Sequence, residues 1–342
     1  MNQPQRLFPI VIGGLIMIAG LSACHHHDKE LSFYYWRTAF APDSLEKTTL
    51  TSNGVKTLYL RYFDVDLPPG DTMAVPVAPI VFRDVTNDRE VVPVVYFRNR
   101  VFEKGDSITT ATLVEKIFLL ISQINKTQHI GIREVQFDCD WTEKTRDHYF
   151  FFLRQYRALS GQPVTCTIRL HQVKYPGRTG IPPVDRGVLM YYNMGDIDAG
   201  EANSIYEPSV AARYIPSLRD YPMTLDIALP IFSWGLQIRE GHVIRLLNKM
   251  NFLHFQNDPN FERSDSNRYR AKIACFSGGY YFKEGDLVKI EHVSAGELAQ
   301  IAEEISRHSN HRLGNIIFYD LDKTNLILYE KNVFKEVLDH FN

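Results

Sequence analysis

Eight short runs rich in β-branched and aromatic residues recur along this chain, at residues 31–38, 57–65, 91–98, 133–141, 164–171, 187–194, 223–232 and 315–321. Helical patterning fills several of the intervals. Between the third and fourth runs, Leu113, Ile117, Leu120, Ile121 and Ile124 fall at helical spacing. After the fourth, residues 144–159 carry an apolar stripe of Tyr149, Phe152, Leu153 and Tyr156, with Thr142 as N-cap and Gly161-Gln162-Pro163 as the stop. Residues 243–251 read as a helix after the seventh run. Ser294 and Glu297 form a capping box that opens a helix to about residue 306. Strands that alternate with helices imply a mostly parallel sheet. Eight such units predict an α/β fold, a closed (β/α)8 TIM-type barrel. A doubly wound open sheet is the competitor, but no glycine-rich phosphate loop is present. The crossover at 67–90 is Pro-rich and leaves room for a short helix at most. Residues 195–222 are equally loose, and 257–270 are polar and read as a loop. Residues 270–293 read as an inserted β-hairpin before the last strand.

Ahead of the first run, Arg6 precedes an apolar stretch at residues 7–20, and then comes Leu21-Ser22-Ala23-Cys24. A short apolar segment that ends in small residues is the pattern of a secretory signal, not of a spanning helix. The Leu-Ser-Ala-Cys ending resembles the lipobox of bacterial lipoproteins. That resemblance implies removal of residues 1–23 and a lipid on Cys24. Residues 24–30 then read as a tether, and the length of 31–342 suits a single barrel domain. Acyl chains hold a protein to a membrane at about 0.8 kcal/mol per buried CH2. No later segment is long and apolar enough to span. His25 after the cysteine implies the outer membrane in the lipoprotein pattern, with the periplasmic or surface side left open. His25, His26 and His27 read as solvated tether.

The formal net charge of −2, with no basic cluster, argues against nucleic acid as a partner. Three of the four cysteines remain after Cys24, and an odd count excludes a fully paired framework. Cys139 and Cys166 fall on the apolar parity of their strands and read as buried small hydrophobes. One bridge stays open. No HxxEH spacing and no Gly-x-Ser-x-Gly elbow occurs, and neither a metal nor a cofactor is expected.

Residues 132–143, IREVQFDCDWTE, carry the chemistry. Positions two apart in a strand share a face, so Gln136, Asp138 and Asp140 point one way and Val135, Phe137, Cys139 and Trp141 the other. Carboxylates at the C-terminal end of a barrel strand stand where barrel enzymes keep their sites. The fifth run adds Thr165, Thr167, Arg169 and His171 on one parity, and the seventh adds Thr224, Asp226 and Ala228. Buried ionisable groups cost several kcal/mol unless they are paired. Two readings follow: an active site, or a structural ion network in which Arg169 pairs with Asp138 and Asp226. Trp234, just past the seventh run, is the candidate platform for a ligand ring.

The fourth run resembles the strand motif D-x-x-D-x-D-x-E of the glycoside hydrolase family 18 chitinases, which are (β/α)8 barrels. Asp138-Cys139-Asp140 resembles its last two aspartates. Val135 stands at the first aspartate and Thr142 at the acid, with Glu143 one residue later. Met190-Tyr191-Tyr192-Asn193 resembles the family's M-x-Y-D, with Asn193 in place of the aspartate. The resemblance implies Glu143 as the acid, Asp140 as the group that orients an acetamido nucleophile, and Tyr192 as its hydrogen-bond partner. Asp138, Arg169, His171, Asn193 and Asp226 would surround them. Spacing of three turns Glu143 away from Asp140 in a continuous strand. The plainer reading places Glu143 beside the N-terminus of the following helix. A different pair of carboxylates across a glycosidic bond is a further option, its spacing setting retention or inversion. The expectation is a lipid-anchored envelope barrel that acts on carbohydrate. The rival is a non-catalytic glycan-binding or scaffold protein.

Overall fold

The computed structural model of the protein describes residues 29–86, 89–103, 107–309 and 313–342. The expected signal segment, the expected lipid site Cys24 and the histidines of the expected tether lie outside them.

All eight expected runs are strands: Leu31–Tyr35, Thr57–Asp66, Glu90–Phe97, Val135–Cys139, Val164–Arg169, Arg186–Met190, Leu225–Pro230 and Leu313–Tyr319. Each pairs in parallel with its neighbours in chain order. The first closes the ring on both sides, with Phe33 opposite Leu58 and Leu31 opposite Ile316. The protein is therefore a closed (β/α)8 TIM-type barrel.

Helices cover the outside where the stripes require them. Ser107–Gln128 and Arg146–Ser160 follow the third and fourth strands. Phe137 meets Phe152 and Tyr156 of the second helix at ring separations of 5.0 and 4.7 Å. That helix stops at Gly161, whose φ of 65° is a left-handed cap that a side chain would disfavour. Its N-cap is Thr145, not Thr142, because the chain makes a turn first and Thr142 supplies a carbonyl to Arg146. The capping box at Ser294 and Glu297 opens the Ala295–His308 helix as expected. Trp141 is buried as its parity requires. It stacks on Tyr149 at 5.5 Å and donates its indole N–H to the Thr179 carbonyl. Cys139 and Cys166 are buried free thiols.

The excursions differ from expectation. The Pro-rich second crossover holds the short strands Val75–Val77 and Val81–Phe82 and, among the described residues, no helix. Residues 195–222 contain the Pro208–Tyr214 helix and a single 3-10 turn. The insertion before the last strand is larger than a hairpin. Ser233–Arg239, His242–Asn248, Phe261–Arg263, Arg268–Ala271 and Leu287–His292 form a five-stranded antiparallel sheet. The expected helix at 243–251 is one of these strands. Glu240 and Gly241 both adopt positive φ, 52° and 79°, which is the geometry of a two-residue hairpin turn, and it folds His242–Asn248 back onto Ser233–Arg239. The sheet has its own core of Leu247, Phe255, Phe261, Tyr269, Phe282 and Val288. It stands on the C-terminal rim of the barrel. A fully buried pair, Lys289 with Glu291 at 2.7 Å, fixes it there. Lys289 donates to the Ala202 carbonyl, and Glu291 accepts from Ser204 and from the Trp234 indole.

Candidate ligand-binding cleft at the barrel mouth

Register decides which inward side chains meet. Asp64 lies opposite Tyr96, and Tyr96 opposite Asp138, so three neighbouring strands present a row at one height. Thr167 continues the row and donates to Asp138 Oδ1 at 2.7 Å. Asp138 is 6% exposed. Burial, with the Asp140 charge behind it, pushes its carboxyl up to about 6, against the pull of Arg169 and the Thr167 hydrogen bond. Asp64 pairs with Arg61 at 2.7 Å.

One residue past the fourth strand, Asp140 reaches the rim and is half-exposed. Arg169 ends the fifth strand and grips it with both arms, Nε to Oδ1 at 2.5 Å and Nη2 to Oδ2 at 3.0 Å. Burial works against the Arg169 charge, but Asp140 and then Asp138 outweigh it and hold the guanidinium above its ordinary range. This pair divides the mouth into two lobes. The inner lobe, about 260 Å³, is walled by Trp36, Tyr96, Tyr192 and Tyr319, with Asp64, Asp138 and Asp140 among them. The outer lobe, about 490 Å³, includes His171, Met194, Val210 and Tyr214. Asp140, Arg169, Tyr192 and Asn193 belong to both.

Three of the four rings of the wall are in contact. Tyr192 stacks on Tyr319 at 5.4 Å and 24°, and Tyr319 meets Trp36 at 5.6 Å. The Tyr192 hydroxyl donates to Met190 Sδ at 3.0 Å. Burial holds the Tyr192 hydroxyl well above its usual range. Burial and the neighbouring Arg169 charge lower the His171 imidazole. Asn193 is exposed, with φ at 56°, and its backbone N–H donates to the Ile205 carbonyl.

Asp138, Asp140, Arg169, His171, Tyr192 and Asn193 therefore converge. Three expected residues do not. Glu143 lies in the turn before the helix, half-exposed, and pairs with Arg178 at 2.7 Å on the outer surface. Asp226 sits near the start of the seventh strand, at the opposite end of the barrel. There it takes Arg186 at 2.5 Å, and Arg186 also grips Glu134 at 2.8 Å. The expected pairing of Arg169 with Asp226 is thus replaced by two separate networks. Trp234 packs on Phe232, commits its N–H to Glu291 and is not among the residues lining either lobe. Sequence reasoning missed Tyr319. Its strand carries one polar residue, Asn315 near the base, and is otherwise apolar on both parities, so no polar alternation marks its inward face. Among the described residues, no group of three or more His, Cys, Asp or Glu stands close enough to hold a metal ion.

Similarity to known proteins is confined to the fold. No family model matches the sequence. No curated protein matches it either. Solved structures do. The spore cortex-lytic enzyme SleL of Bacillus cereus superposes with a TM-score of 0.53 at 14% identity, over 92% of this chain and 74% of that one. A family 18 chitinase from Cycas revoluta, in complex with (GlcNAc)4, gives 0.52 at 14%, over 92% and 100%. The chitinase-like agglutinin of Robinia pseudoacacia gives 0.51 at 10%, over 91% and 99%. The barrel is thus built like those of family 18 glycoside hydrolases and of a lectin related to them.

Proposed function

We propose that this protein binds carbohydrate in the cleft at the barrel mouth and does not hydrolyse it. The observation that carries this reading is the fate of the two carboxylates expected to act. Asp140 is neutralised by a bidentate guanidinium, and Glu143 faces solvent beside Arg178. Thr142 stands where the resembled motif has its acid. Glycoside hydrolysis of either stereochemical course needs a carboxylic acid next to the scissile oxygen. What remains is a concave surface with aromatic faces and a few fixed polar groups, which is the make-up of a binding site. The fold neighbours support carbohydrate as the ligand class, since one is a chitinase seen with a chitin oligomer and another an agglutinin.

One observation favours a second reading. Asp138 is a buried carboxyl with an acid strength near 6, the range of a general acid. Calorimetric titration with oligosaccharides, with product release followed in the same samples, separates the two. Binding without product supports the proposal. Product that disappears in Asp138→Asn or Asp140→Asn establishes a hydrolase. The lipid anchor on Cys24 belongs to the same reading. Its test is partition into detergent, expected for the native chain and lost in Cys24→Ser.

A further inference from the structure

We infer that the inner lobe of the cleft takes a protonated amine, so that the preferred ligand is a glycan of 2-amino-2-deoxy sugars with free amino groups. The inference rests on the carbohydrate reading above and narrows its substrate class.

Hydrogen-bonding capacity is the first part of the argument. An acetamido group needs a donor for its carbonyl. The two residues that the motif resemblance assigns to such a group are already engaged: Asp140 holds Arg169, and the Tyr192 hydroxyl donates to Met190 Sδ. Both guanidiniums at this end of the barrel are paired with a carboxylate as well, Arg169 with Asp140 and Arg61 with Asp64. On Asp138, Oδ1 accepts from Thr167, while Oδ2 has no hydrogen bond to any described residue. This carboxylate is nine-tenths buried and lines the lobe. The free oxygen opens into the lobe and can accept from a ligand that brings a donor. An ammonium brings three and no acceptor.

Charge is the second part. Three carboxylates, Asp64, Asp138 and Asp140, stand against the two guanidiniums of Arg61 and Arg169. One negative charge is left over, and it falls on the carboxylate without a cationic partner in contact. The third part is the wall. Trp36, Tyr96, Tyr192 and Tyr319 surround this point, and aromatic faces attract a cation that lies within about 6 Å of the ring centroid. Aromatic walls alone suit any sugar ring. Aromatic walls around a leftover carboxylate suit a sugar that carries a positive charge.

The test uses the full-length protein and three tetrasaccharides, of glucosamine, of N-acetylglucosamine and of glucose, titrated calorimetrically at about pH 7, where Asp138 is mostly ionised. The glucosamine oligomer is expected to bind at least about tenfold more tightly than the other two, one such factor being about 1.4 kcal/mol. Asp138→Asn keeps the shape and the Thr167 hydrogen bond, and should erase that preference, so that the glucosamine oligomer binds no more tightly than the other two. Trp36→Ala should weaken all three. Equal or tighter binding of the acetylated oligomer overturns the inference and leaves the carbohydrate reading standing. Preference for the amine that survives Asp138→Asn also overturns it. If none of the three oligomers binds, the carbohydrate reading itself falls, and the inference with it.

Discussion

Replacing Asp138 by Asn should stabilise the protein at neutral pH, and the size of the effect follows from its surroundings. The carboxyl is 6% exposed and its acid strength is raised to about 6, chiefly by burial and next by Asp140. An aspartate in an unfolded chain titrates near 3.9. A carboxyl whose pKa is raised on folding helps the folded state only while protonated. Its contribution is fully present below the unfolded value and is lost as pH rises through the folded one. A difference of about two pH units corresponds to about 3 kcal/mol at 1.36 kcal/mol per unit. The amide of the variant carries no charge at any pH and can still accept from Thr167. The variant should gain nothing near pH 4, gain progressively up to about pH 6, and hold about 3 kcal/mol above about pH 7. At about 2 °C per kcal/mol for a body of this size, that is a rise of about 6 °C in the unfolding midpoint. Urea unfolding of both proteins from pH 4 to pH 8 measures it. A variant less stable at neutral pH, or a difference flat across the range, refutes the reasoning.

Three further outcomes follow from the other charge pairs. Glu143→Ala removes half of an exposed pair with Arg178, so stability should change by less than about 1 kcal/mol, and oligosaccharide titration should give an unchanged affinity. Arg186→Met strands Asp226 and Glu134 at the base of the barrel and should cost about 3–5 kcal/mol by urea unfolding. That deficit should shrink in acid, because both carboxylates, already raised by burial and now without Arg186, take up protons. Lys289→Met leaves Glu291 buried without its cation and should cost a similar amount, about 3–5 kcal/mol. Limited proteolysis should then cut first in the segment around Ala202 and Ser204, which this pair holds.

The barrel was legible because its strands announce themselves twice, by β-branched and aromatic runs and by the helical stripes between them. Parity was equally informative: it separated Gln136, Asp138 and Asp140 from Val135, Phe137 and Cys139, and it put Trp141 against a helix. Height along the barrel axis was not legible. The seventh run was read from residue 223, which placed Asp226 in mid-strand, whereas the strand begins at Leu225. At about 3.3 Å per residue, that error is about 7 Å, enough to move a side chain from the mouth toward the base. The inserted sheet was hidden for another reason. Val243, Ile244, Leu246, Leu247 and Met250 satisfy helical spacing, and only the left-handed turn at Glu240 and Gly241 selects a strand. Tyr319 lacked any contrast with its neighbours on the eighth strand.

The two ends of the barrel show how a structural ion network differs from a ligand site made of the same residue types. At the base, Arg186 contacts both Asp226 and Glu134, and the remaining oxygen of Asp226 accepts from the Asn315 backbone N–H at 2.7 Å. The Asp226 side chain is fully enclosed. Every strong acceptor on it has a donor, and no space is left for another molecule. At the mouth, the arginines also find carboxylates, but one carboxylate more is present than they can satisfy. Asp138 keeps an oxygen without a donor, at the floor of an open lobe lined by rings. A scaffold selected for stability alone would place an amide at that position and gain about 3 kcal/mol at neutral pH. A carboxylate in excess of its cations where solvent and a ligand can reach it, and buried carboxylates that share one arginine where they cannot, support the proposal of binding at the mouth and a structural role for the base.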